Sequence, residues 1–96
     1  MFVNFVHFPR VKEGNDARFQ EWFASSNAQF ATQRGFIRRL LLKPRGGGNY
    51  VAIVETDSQE AFMAMEASPL HSAVHKEVAP LLDGNPVASF YDVIVQ

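Results

Sequence analysis

The spacing of apolar and polar positions along the chain shifts between period two and a helical period, and those shifts mark the elements. Phe2 to Phe8 is a short β-rich run closed by Pro9 and the stretch Arg10 to Gly14. Alternation puts Phe2, Asn4, Val6 and Phe8 on one side and Val3, Phe5 and His7 on the other. Because both sides are largely apolar, both faces of the sheet are expected to be covered, with His7 an inward-facing polar residue. From Gly14 or Asn15 to about Gln33 the period is helical. Phe19, Trp22, Phe23, Ser26 and Phe30 fall within about 100° of arc, while Arg18, Glu21, Ser25 and Gln29 take the outside. Gly35 stops this helix, and Phe36 to Lys43 reads as a second strand. Pro44 to Asn49 breaks that strand before a third, Tyr50 to Glu55, and the short link favours an antiparallel hairpin. Asp57 with Glu60 predicts a capping box for a short helix ending near Ala67. Ser68 as N-cap and Pro69 at the first helical position predict another helix, which Pro80 ends by Ala79. Asp83 to Pro86 is a turn, and Val87 to Val95 is the last strand.

The predicted order is β-α-β-β-α-α-β, an α+β, ferredoxin-like plan with a four-stranded antiparallel sheet and its second helix split in two. Residues 1–96 make one domain. One sheet face carries the helices, and the other, apolar in strands one and four, is expected to pack against a second copy of the chain. Composition strengthens that expectation. Hydrophobic residues are 47% of the chain and nine are Phe, more apolar surface than one small core hides.

Charge narrows the function classes. A net charge of -1 from nine basic and ten acidic residues, with no run of either sign, argues against nucleic acid or a membrane surface as partner. The absence of cysteine excludes thiolate nucleophiles and thiolate metal sites, and it fits a cytoplasmic setting. Neither a leader with a basic start nor a membrane-length apolar run is expected from Met1 to Val6 onward.

The Gly46-Gly47-Gly48 run lies in the hairpin and lacks phosphate-loop spacing, so it reads as a flexible turn. Arg38, Arg39, Lys43 and Arg45 beside it read as a solvated strand edge. No two carboxylates converge, and no serine sits in a nucleophile elbow. Three histidines remain. His71 and His75 are one helical turn apart on one flank, with His75 bordering the buried stripe that holds Val74 and Val78. Three readings of the set stay open: ordinary structural histidines, a zinc-type site with His7, or one axial histidine facing an apolar pocket that holds a flat ligand.

Gly35-Phe36-Ile37 through Leu42-Lys43-Pro44, Glu60-Ala61-Phe62, and Ser68 through His75-Lys76 together resemble the antibiotic biosynthesis monooxygenase (ABM) domain. Within that family the chain is similar to the small heme-degrading monooxygenases of the IsdG type. The resemblance implies a homodimeric α+β barrel with a pocket for a small apolar or aromatic ligand in each subunit. It implies heme as a possible cofactor with His75 as the proximal iron ligand, and Met65, His71, Trp22 and Phe23 around the ligand. Seven residues before Gly14, His7 takes the place of an asparagine of that branch, and ten residues before His75, Met65 takes that of a tryptophan. Other ABM-like domains oxidise quinol-type aromatics without a cofactor, and in that setting His7 is the expected base, with Trp22 and Tyr91 shaping the pocket. A third possibility is a binding or isomerase domain without oxygen chemistry.

Overall fold

A computed structural model describes all of residues 1–96. The elements are β1 (Phe2–His7), α1 (Asp16–Phe30), β2 (Phe36–Leu42), β3 (Val51–Thr56), α2 (Gln59–Glu66), α3 (Pro69–Val78), a 3-10 turn (Ala79–Leu81) and β4 (Val87–Asp92). All pairings are antiparallel in the order β2-β3-β1-β4, the ferredoxin-like arrangement that the hydrophobic pattern predicts. The last strand ends at Asp92, three residues short of the predicted end. None of the helices is long and apolar enough to cross a membrane.

Local chemistry explains the boundaries. Ser68 caps α3 by accepting from the His71 backbone N–H at 3.2 Å, with Pro69 in the first turn where its missing donor costs nothing. The cap of α2 is Ser58 rather than Asp57, since Ser58 Oγ accepts from Ala61 N at 3.1 Å. Asp57 instead uses its backbone N–H to bond Gly35 O at 2.9 Å, which ties the start of β2 to the end of β3. Gly35 has φ of 81°, and a Cβ there would lie 2.5 Å from the Ala61 Cβ, so only glycine fits.

The three helices cover one face of the sheet, and the core beneath them divides into two clusters. Phe8, Phe19, Phe23, Tyr50, Ala52, Val78, Leu81 and Leu82 form the first. Phe2, Phe30, Val54, Phe62, Met65 and Val74 form the second. Val6 and Trp22 pack against both, so they mark the seam. Trp22 also fastens α1 to α3, because its indole Nε1 donates to Val74 O at 2.9 Å.

Strand β2 carries one irregularity. Phe36 pairs with Thr56 but Arg38 pairs with Glu55, leaving Ile37 as the extra residue of a β-bulge. Because side chains alternate with period two, the insertion swaps the face of every later residue. Arg39 becomes the partner of buried Val54 on the helix-facing side, and Arg38 turns outward to an ion pair with Glu55.

The opposite face of the sheet bears no helix. His7 lies there, exposed at the end of β1, and not inward as its place in an apolar strand suggests. Tyr91 shares that face and sets its ring edge-on to Phe5, with centroids 5.3 Å apart. Leu40, Leu42 and Val87 are also exposed.

Candidate functional site

The seam between the two core clusters opens into a cavity of about 350 Å³, within the usual range for small-molecule sites of about 300–1,000 Å³. Its floor is the helix-facing side of the sheet: Asn4, Val6, Ala52, Val54 and Ala88. Phe30 and Trp22 from α1, Phe62 and Met65 from α2, and His71, Val74 and His75 from α3 form the roof and mouth.

The polar groups on this apolar lining are few. Asn4 is 5% exposed, and its Oδ1 is buried without a hydrogen-bond partner. An unmade bond to a buried carbonyl costs about 1–3 kcal/mol, so such an atom in a cavity wall invites a donor from a ligand. Asn4 pairs with Val54, and Val54 pairs with Arg39, so the three lie in one row across the floor. Two strand spacings, about 10 Å, separate the first from the last.

Arg39 stands at the far end of that row in an aromatic cage. Its guanidinium carbon is 4.2 Å from the Phe23 ring centroid, 4.7 Å from Phe30 and 5.9 Å from Trp22. Nη1 donates to Ser26 Oγ at 2.6 Å and to Asn27 Oδ1 at 3.0 Å. Nε and Nη2 make no hydrogen bond to the protein, and no carboxylate is paired with the cation, although Glu66 stands at the cavity mouth. Desolvation lowers the Arg39 pKa to about 10. The basic residues of β2 therefore do not form one solvated edge.

The two helix histidines exchange their expected depths. His71 is half-buried, with its ring 6.2 Å from Phe30, whereas His75 is exposed at the rim. Their rings are nearly parallel, 5° apart in plane and 6.4 Å between centroids. Burial is the main cause lowering the His71 pKa. Glu66 opposes it, while His75 and Arg39 add to it. His71 is thus a neutral imidazole near neutrality, able to accept a proton.

The other predicted site residues separate. Met65 is buried in the roof and Trp22 half-buried beside it. Phe23 is 3% exposed in the first core cluster and reaches the site only through the cage around Arg39. His7 and Tyr91 lie across the sheet from the cavity, so His7 joins neither a zinc-type cluster nor this pocket; no group of three or more His, Cys, Asp or Glu is assembled anywhere. The count from Gly14 places His7 where the heme-degrading branch carries an asparagine. The strand instead turns Asn4 into the cavity.

A family model described as antibiotic biosynthesis monooxygenase matches residues 1–77. The chain belongs to the antibiotic biosynthesis monooxygenase family. Among solved structures, SnoaB from Streptomyces nogalater, a cofactor-independent oxygenase, aligns with 28% identity and a TM-score of 0.82, covering 99% of this chain and 95% of that one. A protein from Nitrosomonas europaea assigned to the antibiotic biosynthesis monooxygenases gives a TM-score of 0.85 at 17% identity, covering 99% and 100%. Rv0793 from Mycobacterium tuberculosis gives 0.82 at 14% identity, covering 100% and 98%. At 17% and 14% identity, the last two support the fold alone. No curated protein sequence matches the chain significantly.

The residues present do not fit heme. A cavity of about 350 Å³ is small for a tetrapyrrole, the exposed His75 sits at its rim, and its interior presents a buried cation and an unpartnered amide. These groups suit a smaller planar molecule with polar substituents.

Proposed function

We propose that the chain is a cofactor-independent oxygenase acting on a small anthrone-type aromatic, whose ring carries an activated methylene, held between the helices and the sheet. The observation that carries this reading is the cavity itself, apolar over most of its lining, with the neutral His71 imidazole and Asn4, whose Oδ1 has no partner, both lining it. Family membership and the likeness to SnoaB support it.

Asn4 accepts a hydrogen bond from a substrate hydroxyl and orients the ring over Val54. His71 removes a proton from the activated ring methylene, and the electron-rich carbanion then reduces molecular oxygen, the second substrate. A carbon–oxygen bond forms, and the imidazolium returns its proton to the peroxide. Loss of the remaining proton at that carbon breaks the oxygen–oxygen bond and releases water. The methylene and one oxygen molecule thus become a carbonyl and one water. Exclusion of bulk water by Phe30, Phe62 and Trp22 keeps the proton on His71 until it is returned.

Oxygen uptake with an anthrone substrate in chelator-treated buffer tests the reading. Uptake with quinone formation is the expected result, and His71→Ala is expected to lower the rate about 10²–10⁴-fold, the usual contribution of a positioned base. Uptake no faster than in protein-free buffer would overturn it.

A homodimer completes the proposal. The outer sheet face, with Phe5, Leu40, Leu42, Ile53, Val87 and Tyr91, is broad, apolar and nearly uncharged, because Arg38 and Glu55 neutralise each other at its edge. A second copy offers the same chemistry through a two-fold axis.

A further inference from the structure

We propose that the cavity takes its ligand as an oxyanion, received by Nε and Nη2 of Arg39 at one end of the floor, while a neutral hydroxyl of the same molecule meets Asn4 at the other. This rests on the reading above for the ligand's planar aromatic character and adds its charge and orientation. Arg39 is the observation that ordinary folding leaves unexplained. A cation taken out of water is expected to be paired, because desolvation without a counter-charge costs several kcal/mol. Here the faces of the guanidinium lie against Phe23 and Phe30, and Nη1 is saturated by two neutral oxygens. These contacts hold the guanidinium by its faces and by Nη1 and leave Nε and Nη2 without a protein partner, on a side chain that lines the cavity. A guanidinium held by one nitrogen, with its second nitrogen and Nε unused, matches the two-point geometry in which arginine grips a planar oxyanion.

The bulge at Ile37 strengthens the case. Regular alternation from Phe36 would carry Arg39 to the outer face, away from the cavity. The insertion turns a charged side chain into an apolar layer instead. Glu66 at the cavity mouth does not pair with it. A ligand lying along the row Asn4–Val54–Arg39 places its ring over Val54, with about 10 Å between the strands that carry its two polar anchors. That span suits a fused two- or three-ring system.

Two sources supply the shared chemistry, a ring carboxylate and an acidic phenol ionised at neutral pH. Binding of 2-naphthoate, its neutral isostere 2-naphthamide, the ionised 2,4-dinitro-1-naphthol and neutral 1-naphthol to the whole chain at pH 7 distinguishes them. Calorimetry is expected to give at least 10-fold tighter binding for one or both anions than for its neutral counterpart. Which anion gains identifies the source. In Arg39→Gln that preference should fall below about 3-fold while the neutral probes bind as before, and Arg39→Lys should restore part of it. Should Arg39→Gln fail to fold, as circular dichroism would reveal, the ¹⁵Nε resonance of Arg39 in the unaltered chain decides the matter. It should shift with the anion and not with the amide. Equal binding of anions and neutral isosteres, an anion preference surviving in Arg39→Gln, or a ¹⁵Nε resonance unmoved by saturating anion would overturn the proposal. None of these readouts involves oxygen, so their failure is separable from failure of the oxygenase reading.

Discussion

Three residues carry the proposed chemistry, and the sequence makes them unequally visible. His71 and His75 are conspicuous as a pair one turn apart, but which of them enters the cavity depends on the tilt of α3 against α1. The Trp22 to Val74 hydrogen bond is one contact that fastens α3 to α1, and helical spacing alone does not show it. With burial lowering its pKa, His71 remains a base to more acidic pH than an ordinary histidine. The rate should therefore fall only when pH drops below the usual histidine range near 6.5, through this lowered value. A pH–rate profile with its acidic limb at or above 6.5 would exclude His71 as the base. The linked effect on stability has a definite sign. The unfolded chain binds the proton more tightly, so stability rises with pH between the folded and unfolded pKa values, and below both the contribution is lost. Urea unfolding at pH 5 and pH 8 should differ less in His71→Asn than in the unaltered chain. Asn4 is hard to single out because an alternating strand places it among apolar neighbours with nothing to mark it as unpartnered. Arg39 is concealed by the bulge, since alternation without it reads as a basic outer edge.

At the scale of elements, the periodicities were a good guide wherever burial dictates them. The stripe Phe19, Phe23, Ser26 and Phe30 on α1 is buried as its spacing requires. Capping is legible as well, but Asp57 and Ser58 compete for the same role, and the Ser58 Oγ contact with the Ala61 N–H decides between them. Ser68→Ala should cost about 1 kcal/mol by removing the α3 cap, measurable as a lower urea midpoint with unchanged slope. Gly35→Ala should cost more. It imposes a side chain at φ 81° and drives a methyl against the first turns of α2, so a midpoint equal to that of the unaltered chain would show that α2 is not packed against this turn. The shortened last strand has a simple cause. Beyond Asp92 the ladder with β1 runs out at Phe2, and only a Val93 N–H bond to Met1 O continues it.

For the whole molecule, the ferredoxin-like plan follows from the order of periods, while the division into two core clusters with a cavity at their seam appears only once the helices are laid on the sheet. The excess of phenylalanine serves two ends: several rings close the helix-side core, whereas Phe5 and Phe90 remain on or near uncovered surface. Ile53→Asp on the outer face should convert the dimer expected at micromolar concentration into a monomer by sedimentation, with the cavity intact. A unaltered chain that sediments as a monomer would contradict the two-fold packing. Hemin titration should yield no Soret shift that depends on His75. The most direct measurement is oxygen consumption with an anthrone substrate in chelator-treated, hemin-free buffer, followed together with the appearance of the quinone. The account predicts one oxygen consumed per quinone formed, a rate unchanged by chelator and lowered about 10²–10⁴-fold in His71→Ala; uptake that requires added hemin or metal, or that survives loss of His71 undiminished, would contradict it.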